Sequence, residues 1–181
     1  MNKYLKWTLI VVGSLALIAF VGFKIMTANT KKASPEQTVS FNEGSKNVEV
    51  YYNRPSKKGR EIFGGLVPYG EVWRTGANEA TTFTTETELV IDNKLLPAGK
   101  YTLWTIPERD KWTVIFNKKE YSWGINFDGT SIREPEADVL KVEVPTQTMD
   151  APVEMFTIDF DQSVPAMQMA WDKTKISVPI K

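Results

Sequence analysis

The 181-residue chain contains no cysteine and no histidine. Without cysteine, no disulfide can stabilise the fold, and a lipid anchor on a modified cysteine is excluded. Without histidine, the commonest general base and the commonest zinc ligand are both missing, so Ser-His-Asp and Cys-His catalytic systems and His/Cys zinc sites are excluded. We therefore assign no catalytic residue, no metal site and no cofactor from the sequence.

The charges balance over the whole chain but not over its C-terminal part. The chain has 22 basic and 22 acidic residues, and five of the lysines lie at or before Lys32. The residues after Lys32 therefore carry 17 basic residues (22 minus 5) against 22 acidic ones, a net charge of −5. Proteins that bind nucleic acid generally need a basic surface. We predict no nucleic-acid partner.

A long apolar run lies near the N-terminus. Residues 7–23 are uncharged and are flanked by Lys3 and Lys6 on one side and by Lys24 on the other. At about 1.5 Å per residue the run covers roughly 26 Å, and residues 25–26 can extend it to a bilayer span. A cleaved signal peptide is the alternative, but the run is longer than the usual ~7–15 apolar residues and no A-x-A site follows it.

These observations predict a single-pass membrane protein with one domain. We predict a cytoplasmic tail at residues 1–6, a transmembrane signal-anchor at 7–26, a linker at 27–34 and the domain at 35–181. Long domains are translocated largely regardless of charge, so the domain is expected to face the periplasm or the cell exterior. Cleavage would instead produce a secreted protein.

Beyond the linker, apolar and polar residues alternate in the manner of β-strands. The alternating segments are residues 48–52, 101–106, 112–116, 140–144, 156–160, 167–171 and 176–180. The turn residues at 107–110 predict a hairpin between the second and third segments, and residues 121–136 read as a long loop. The pattern predicts an all-β fold, a single β-sandwich or jelly-roll-like domain preceded by one transmembrane helix.

The alternation stops between residues 54 and 82. Five of the chain's eleven glycines lie between Gly59 and Gly76, and glycine is favoured where the backbone needs a positive φ, so we predict a set of ordered, unusual turns. Cationic and aromatic residues are concentrated in the same segment, and loops on a rigid scaffold often carry binding sites. The candidate ligand-binding residues are Arg54, Lys58, Arg60, Trp73, Arg74, Asn78 and Glu79.

The same segment resembles the signature of a bacterial family. The resemblance rests on YNRPS (52–56), IFGGLVPYG (62–70) and VWRTGANEAT (72–81), and downstream on LPAGKY (96–101) and WTVIFN (112–117). These motifs are similar to those of the family called domain of unknown function 2911, and the likeness covers most of residues 38–181. It implies a bacterial envelope or secreted β-domain, and it implies no particular activity.

Each candidate residue has a structural alternative to ligand binding. Arg54, Arg60 and Arg74 can form an anion clamp, because guanidinium groups match carboxylate and phosphate geometry, or they can pair with nearby glutamates and fix the loops. Asn78 and Glu79 can bind a sugar hydroxyl, or they can hydrogen-bond within their own turn.

Two loop tryptophans, Trp73 and Trp123, could stack on a sugar ring if they are exposed, although core packing is favoured for Trp73. We favour a membrane-anchored envelope domain that binds a small polar or anionic ligand, such as a glycan or a peptide. The alternatives are a hydrolytic enzyme that uses arginine and carboxylate groups, and a structural envelope protein that contacts other proteins.

The apolar run is expected to remain on the mature protein, because it exceeds signal-peptide length and lacks a cleavage motif. The protein should stay in the membrane fraction after a carbonate wash, and mass spectrometry should find residues 7–23 intact. A mature N-terminus near Asn29 would contradict this prediction and indicate secretion.

Overall fold

The computed structural model describes residues 2–181, which form an N-terminal unit ending at Ala33 and a C-terminal unit, Ser34–Lys181. The N-terminal unit is a single helix, α1 (Lys3–Ala33), with no buried side chain. This helix is long and apolar enough to cross a membrane, a property that signal sequences share. It continues past Met26 through most of the predicted linker, because the first residue that breaks a helix there is Pro35.

The C-terminal unit is mostly β-structure. Seven of its strands form one antiparallel sheet in the order β1-β2-β3-β6-β7-β8-β9, and β4 pairs with β5 in a separate hairpin. The strands are β1 (Glu36–Glu43), β2 (Lys46–Asn53), β3 (Thr82–Thr85), β4 (Leu89–Ile91), β5 (Lys94–Leu96), β6 (Gly99–Pro107), β7 (Lys111–Asn117), β8 (Asp138–Asp161) and β9 (Ala166–Pro179), with a short 3-10 helix at Pro135–Ala137.

The predicted central hairpin is confirmed. Strands β6 and β7 pair from Thr102 opposite Asn117 to Pro107 opposite Trp112. Residues 101–105 of β6 are all buried, so both faces of this strand are covered. The long loop predicted after β7 is also present, and it ends at the 3-10 helix before β8.

The division of the C-terminal part into short strands is wrong. Residues 140–144 and 156–160 belong to one 24-residue strand, β8, and residues 167–171 and 176–180 lie along or directly after β9. The pairing of β8 with β9 shifts register between Thr148 and Val153 and again before Thr157. Such irregularities absorb extra residues and bend a strand without ending it. In the sequence, the bent segment therefore looks like a connection between two strands.

The sheet curls so that β8 packs against the first two strands. Phe160 stacks on Phe41 of β1 with ring centroids 5.5 Å apart. The Tyr52 hydroxyl donates to Ile158 O at 3.0 Å and accepts from Ile158 N at 2.9 Å. Burial raises the pKa of Tyr52, so the hydroxyl stays protonated and can donate. The predicted all-β class is confirmed, and a sandwich-like layering is compatible with this curled sheet.

The glycine-rich segment between β2 and β3 is ordered, as predicted. Gly59, Gly64, Gly70 and Gly76 all have positive φ. At Gly76 the constraint is also steric, because a Cβ there would lie 2.9 Å from the carbonyl oxygen of Asn53. This close approach seats the segment on the end of β2.

Gly76→Ala is expected to lower the free energy of unfolding by about 2 kcal/mol, the cost of a strained φ together with the clash at Asn53. Gly44→Ala is the control, because φ is +60° and no atom lies within 4 Å of the added Cβ. There the cost should be about 1 kcal/mol. Chemical denaturation of the full chain in detergent, followed by tryptophan fluorescence, measures both. Equal losses would show that the contact with Asn53 is unimportant.

Candidate functional site

The segment between β2 and β3 is fixed to the sheet at Trp73. The Trp73 backbone N donates to Thr105 O at 2.8 Å, and Thr105 N donates to Trp73 O at 3.0 Å. This pair of hydrogen bonds attaches the segment to β6, where Thr105 is fully buried. The Thr75 hydroxyl lies 3.1 Å from the Thr105 hydroxyl and ties the following turn to the same position.

The Trp73 side chain packs into an aromatic cluster and does not form an open platform. Its ring stacks on Trp171 at 6.0 Å and contacts Phe156 edge-on at 4.9 Å. Phe63 and Trp112 complete the cluster, with their ring centroids 4.8 Å apart. The Trp73 indole N–H donates to Gly76 O at 3.1 Å. Trp73 therefore supports the turn, in agreement with the core packing favoured from the sequence.

Arg54 and Arg60 hydrogen-bond to separate parts of the fold. Arg54 Nε donates to Phe156 O at 3.2 Å, and its Nη2 donates to the Thr157 hydroxyl at 2.9 Å. Arg60, which is exposed, donates to the backbone oxygens of Ser56 and Lys57. Arg54 therefore attaches the end of β2 to β8, and Arg60 stabilises the turn that contains Ser56 and Lys57.

Lys58 lies in the same turn, with φ of +49°. Its backbone N donates to Glu154 Oε1 at 2.9 Å, and the side chain of the preceding residue, Lys57, makes a 2.5 Å ion pair with Asp172. Two of the lysines in this segment thus attach it to β8 and β9. The contacts shown for Lys57 and Lys58 are therefore structural, and their acceptors lie outside the segment.

Asn78 and Glu79 form part of a polar junction at the end of β2. The Asn78 amide donates to Ser34 O at 3.2 Å and to Asn53 Oδ1 at 3.4 Å. The Asn53 amide in turn donates to Glu79 Oε2 at 3.2 Å. Asn53 and Asn78 are both buried. The junction joins the entry of the C-terminal unit to the turn that carries Arg74.

Arg74 is the candidate cation that faces an exposed aromatic ring. Its Nη1 donates to Trp123 O at 3.1 Å, and its guanidinium carbon lies 5.7 Å from the centroid of the Trp123 ring. The Trp123 side chain is 36% exposed. Burial lowers the pKa of Arg74 from its ordinary value, and the nearby Glu79 carboxylate opposes that shift. An arginine remains protonated despite such a shift, so the cation is retained.

The sequence predicts a long loop at residues 121–136 and gives no sign of the polar cluster that holds its end. The Asp138 carboxylate, whose side chain is 4% exposed, accepts from Arg133, from Asn117 at 2.8 Å and from Lys141 at 2.8 Å. The hydroxyl of Tyr121 accepts from Glu134 N at 2.8 Å. The charged and polar residues of the loop follow no regular spacing, so the sequence does not indicate which of them meet. The fold brings Arg133 of the loop, Asn117 of β7 and Lys141 of β8 to the Asp138 carboxylate.

Comparison with protein-family models gives a match over residues 34–180 to the family described as "Protein of unknown function (DUF2911)". The chain belongs to the DUF2911 family. No curated protein and no solved structure matches it. The match covers the C-terminal unit, including the turn of Arg74, the polar junction and the loop of Trp123, so all the contacts described above lie within the DUF2911 domain.

The Asp138 cluster of the DUF2911 domain is expected to control its acid stability. Burial alone would raise the pKa of Asp138, but hydrogen bonds from Lys141, Arg133 and Asn117 hold it below the ordinary value of 3.8. A carboxylate with a lowered folded-state pKa adds stability above its unfolded-state pKa of about 3.9, and that stability is lost as the pH falls toward the folded-state value.

Asp138→Asn should therefore lower the free energy of unfolding by about 3 kcal/mol at neutral pH, because it leaves the nearly buried Arg133 without its carboxylate. The difference from the unmodified protein should shrink as the pH falls below about 4, because the unfolded chain then binds a proton at Asp138 that the folded protein, with its lowered pKa, does not yet bind. Glu143→Gln is the control, since its pair with Lys111 is exposed and should contribute little. A pH series of denaturation curves tests this, and an equal effect of both substitutions would contradict it.

Proposed function

We propose that this DUF2911 protein is held in the membrane by α1 and binds a small anionic ligand beside Arg74, outside the cytoplasm. The ligand class is a carboxylate-bearing glycan or a peptide. The membrane role is supported by the length and apolar character of α1, and the outward position of the domain by the short N-terminal tail.

The observation that carries the ligand proposal is the pairing of Arg74 with the exposed Trp123 ring. A guanidinium has five N–H donors. Among the described residues, the hydrogen bond shown for Arg74 goes from Nη1 to Trp123 O and uses one of them. The other donors remain for an anion, and the neighbouring indole presents a flat apolar face. A sugar or peptide that carries a carboxylate would use both features.

The acidic surroundings of Arg74 limit which anions can bind there. The residues after Lys32 carry a net charge of −5, so a diffuse attraction for anions is not expected from the domain as a whole. An anion would bind where a cation is locally fixed, and Glu79 beside Arg74 would limit the total negative charge that the site accepts. A ligand with a single carboxylate fits this balance better than a polyphosphate.

Of the candidate residues, this proposal uses Arg74 and Glu79 and adds Trp123. Trp73 and Asn78 support it indirectly, because their contacts hold the turn on which Arg74 lies. The contacts of Arg54, Lys58 and Arg60 lie elsewhere in the segment and do not enter this proposal.

Arg74→Gln should weaken binding of a glucuronate-containing disaccharide by roughly tenfold or more, because a hydrogen bond to a charged group contributes about 1.5–3 kcal/mol. Trp123→Ala should weaken it as well. Calorimetric titration of the full chain in lipid nanodiscs measures the affinity, with the neutral glucose disaccharide and a carboxylate-terminated peptide as comparison ligands.

Arg109→Gln is the matched control, because Arg109 is exposed and lies 4.9 Å from the ring of the half-buried Tyr69 in another cation–aromatic pair. It should leave the affinity unchanged. If Arg74→Gln instead unfolds the domain, or if no carboxylate ligand binds the unmodified protein, Arg74 serves as a structural residue and the binding proposal is wrong.

A further inference from the structure

The loop after β7 carries a small, well-formed hairpin, residues 124–132, which we call the tip hairpin. Ile125 pairs with Ser131, and Ile132 N donates to Gly124 O at 3.1 Å. Asn126 N donates to Thr130 O at 2.9 Å, closing the turn. The hairpin is therefore held by its own hydrogen bonds and has a defined shape.

The turn displays a phenylalanine at its apex. Phe127 is fully exposed, with a relative exposure of 115%, and Ile132 is 38% exposed. The polar side chains around Phe127 are used within the turn, since Asp128 accepts from Thr130 N at 3.0 Å and from the Thr130 hydroxyl at 2.6 Å. Phe127 therefore presents its whole ring to solvent at the apex of a hydrogen-bonded turn, where it is available for contact with an apolar phase.

The tip hairpin lies at the end of the domain where α1 joins it. Ser34 follows the last residue of α1, and its carbonyl oxygen accepts from the Asn78 side chain. Two residues after Asn78, the Cβ of Ala80 lies 3.4 Å from the position of a Cβ built on Gly124, the base of the hairpin. From this end β1 leads away to the turn at Ser45, eight residues and roughly 26 Å along the strand.

We propose that the tip hairpin inserts Phe127 and Ile132 into the interfacial layer of the bilayer that α1 crosses. Phe127 is three residues beyond Gly124, so its ring can lie up to about 10 Å from the base of the hairpin. Aromatic residues are favoured at the membrane–water interface.

A lipid surface suits this hairpin better than a protein pocket does. The covalent connection through Ser34 and Pro35 keeps a bilayer within reach of this end of the domain at all times, whereas a partner protein would have to be recruited. The inference rests on the membrane-spanning role of α1 that the proposed function includes, and it is independent of ligand binding at Arg74.

The absence of cysteine allows a direct test, since one introduced thiol can be labelled specifically. The full chain carrying Ser122→Cys is labelled with an environment-sensitive dye and placed in nanodiscs of phosphatidylcholine and phosphatidylglycerol that contain nitroxide-labelled lipid. Ser122 is exposed beside the hairpin and leaves Phe127 in place. Quenching of this dye should be several-fold stronger than quenching of the same dye on Ser45→Cys at the far end of β1.

Adding Phe127→Ser to the Ser122→Cys protein should reduce the quenching toward the Ser45 level. Val164→Ser is the matched control, because Val164 is an apolar side chain, 66% exposed, in the turn just beyond Phe160, which stacks on Phe41 near the Ser45 turn. It should leave the quenching unchanged.

Equal quenching at positions 122 and 45, or no change with Phe127→Ser, would overturn the proposal. Quenching seen only in discs that hold two chains would also overturn it, because the hairpin would then contact a second copy. Failure of the full chain to enter nanodiscs would overturn the membrane role of α1 in the proposed function, and this inference with it. A carbonate wash of the Phe127→Ser protein distinguishes the lipid contact of the tip hairpin from the membrane role of α1. Loss of the hairpin contact alone should leave the chain in the membrane fraction.

Discussion

Trp73 is held through its backbone and its side chain at once, and the position of the candidate site depends on that double restraint. The two backbone hydrogen bonds to Thr105 fix where the segment crosses β6, and the indole fixes its rotation by packing against Trp171 and Phe156. Neighbouring residues in such an extended pairing point to opposite sides. Because Trp73 points into the aromatic cluster, Arg74 points away from it, toward Trp123.

The turn that follows converts this restraint into a junction between distant parts of the chain. Gly76 allows the backbone to approach Asn53, and Asn78 reaches back to Asn53 and Ser34. One buried set of hydrogen bonds therefore connects the residue that follows α1, the last residue of β2 and the turn bearing Arg74. A buried polar network of this kind stabilises one arrangement of the loops, because any other arrangement leaves amide groups unpaired. The same network explains how a glycine-rich segment can hold the Arg74 side chain in a fixed place.

Much of the fold could be predicted from local patterns, but the partners of the site residues could not. The alternation in residues 101–116 defines the central hairpin because both strands and their turn are contiguous. The sequence does not show β8 as one strand, because its irregular pairing between Thr148 and Thr157 interrupts the alternation. The acceptors of Arg54 lie on β8, more than 100 residues away in sequence, so no local pattern could indicate that this arginine is structural.

In the arrangement that we propose, with α1 in the membrane, the charge distribution limits how the domain can approach the bilayer. Five lysines lie at or before Lys32, whereas the residues after it carry a net charge of −5, so an anionic bilayer attracts the flanks of α1 and repels the domain. Charge alone would therefore oppose contact between the domain and an anionic lipid surface. The apolar contact that we propose at Phe127 and Ile132 would oppose that repulsion without needing a basic patch, and it would place the Trp123 loop and Arg74 near the bilayer. A ligand that reaches Arg74 would then approach along the membrane surface, where an acidic domain and an acidic bilayer together favour ligands of low charge over polyanions.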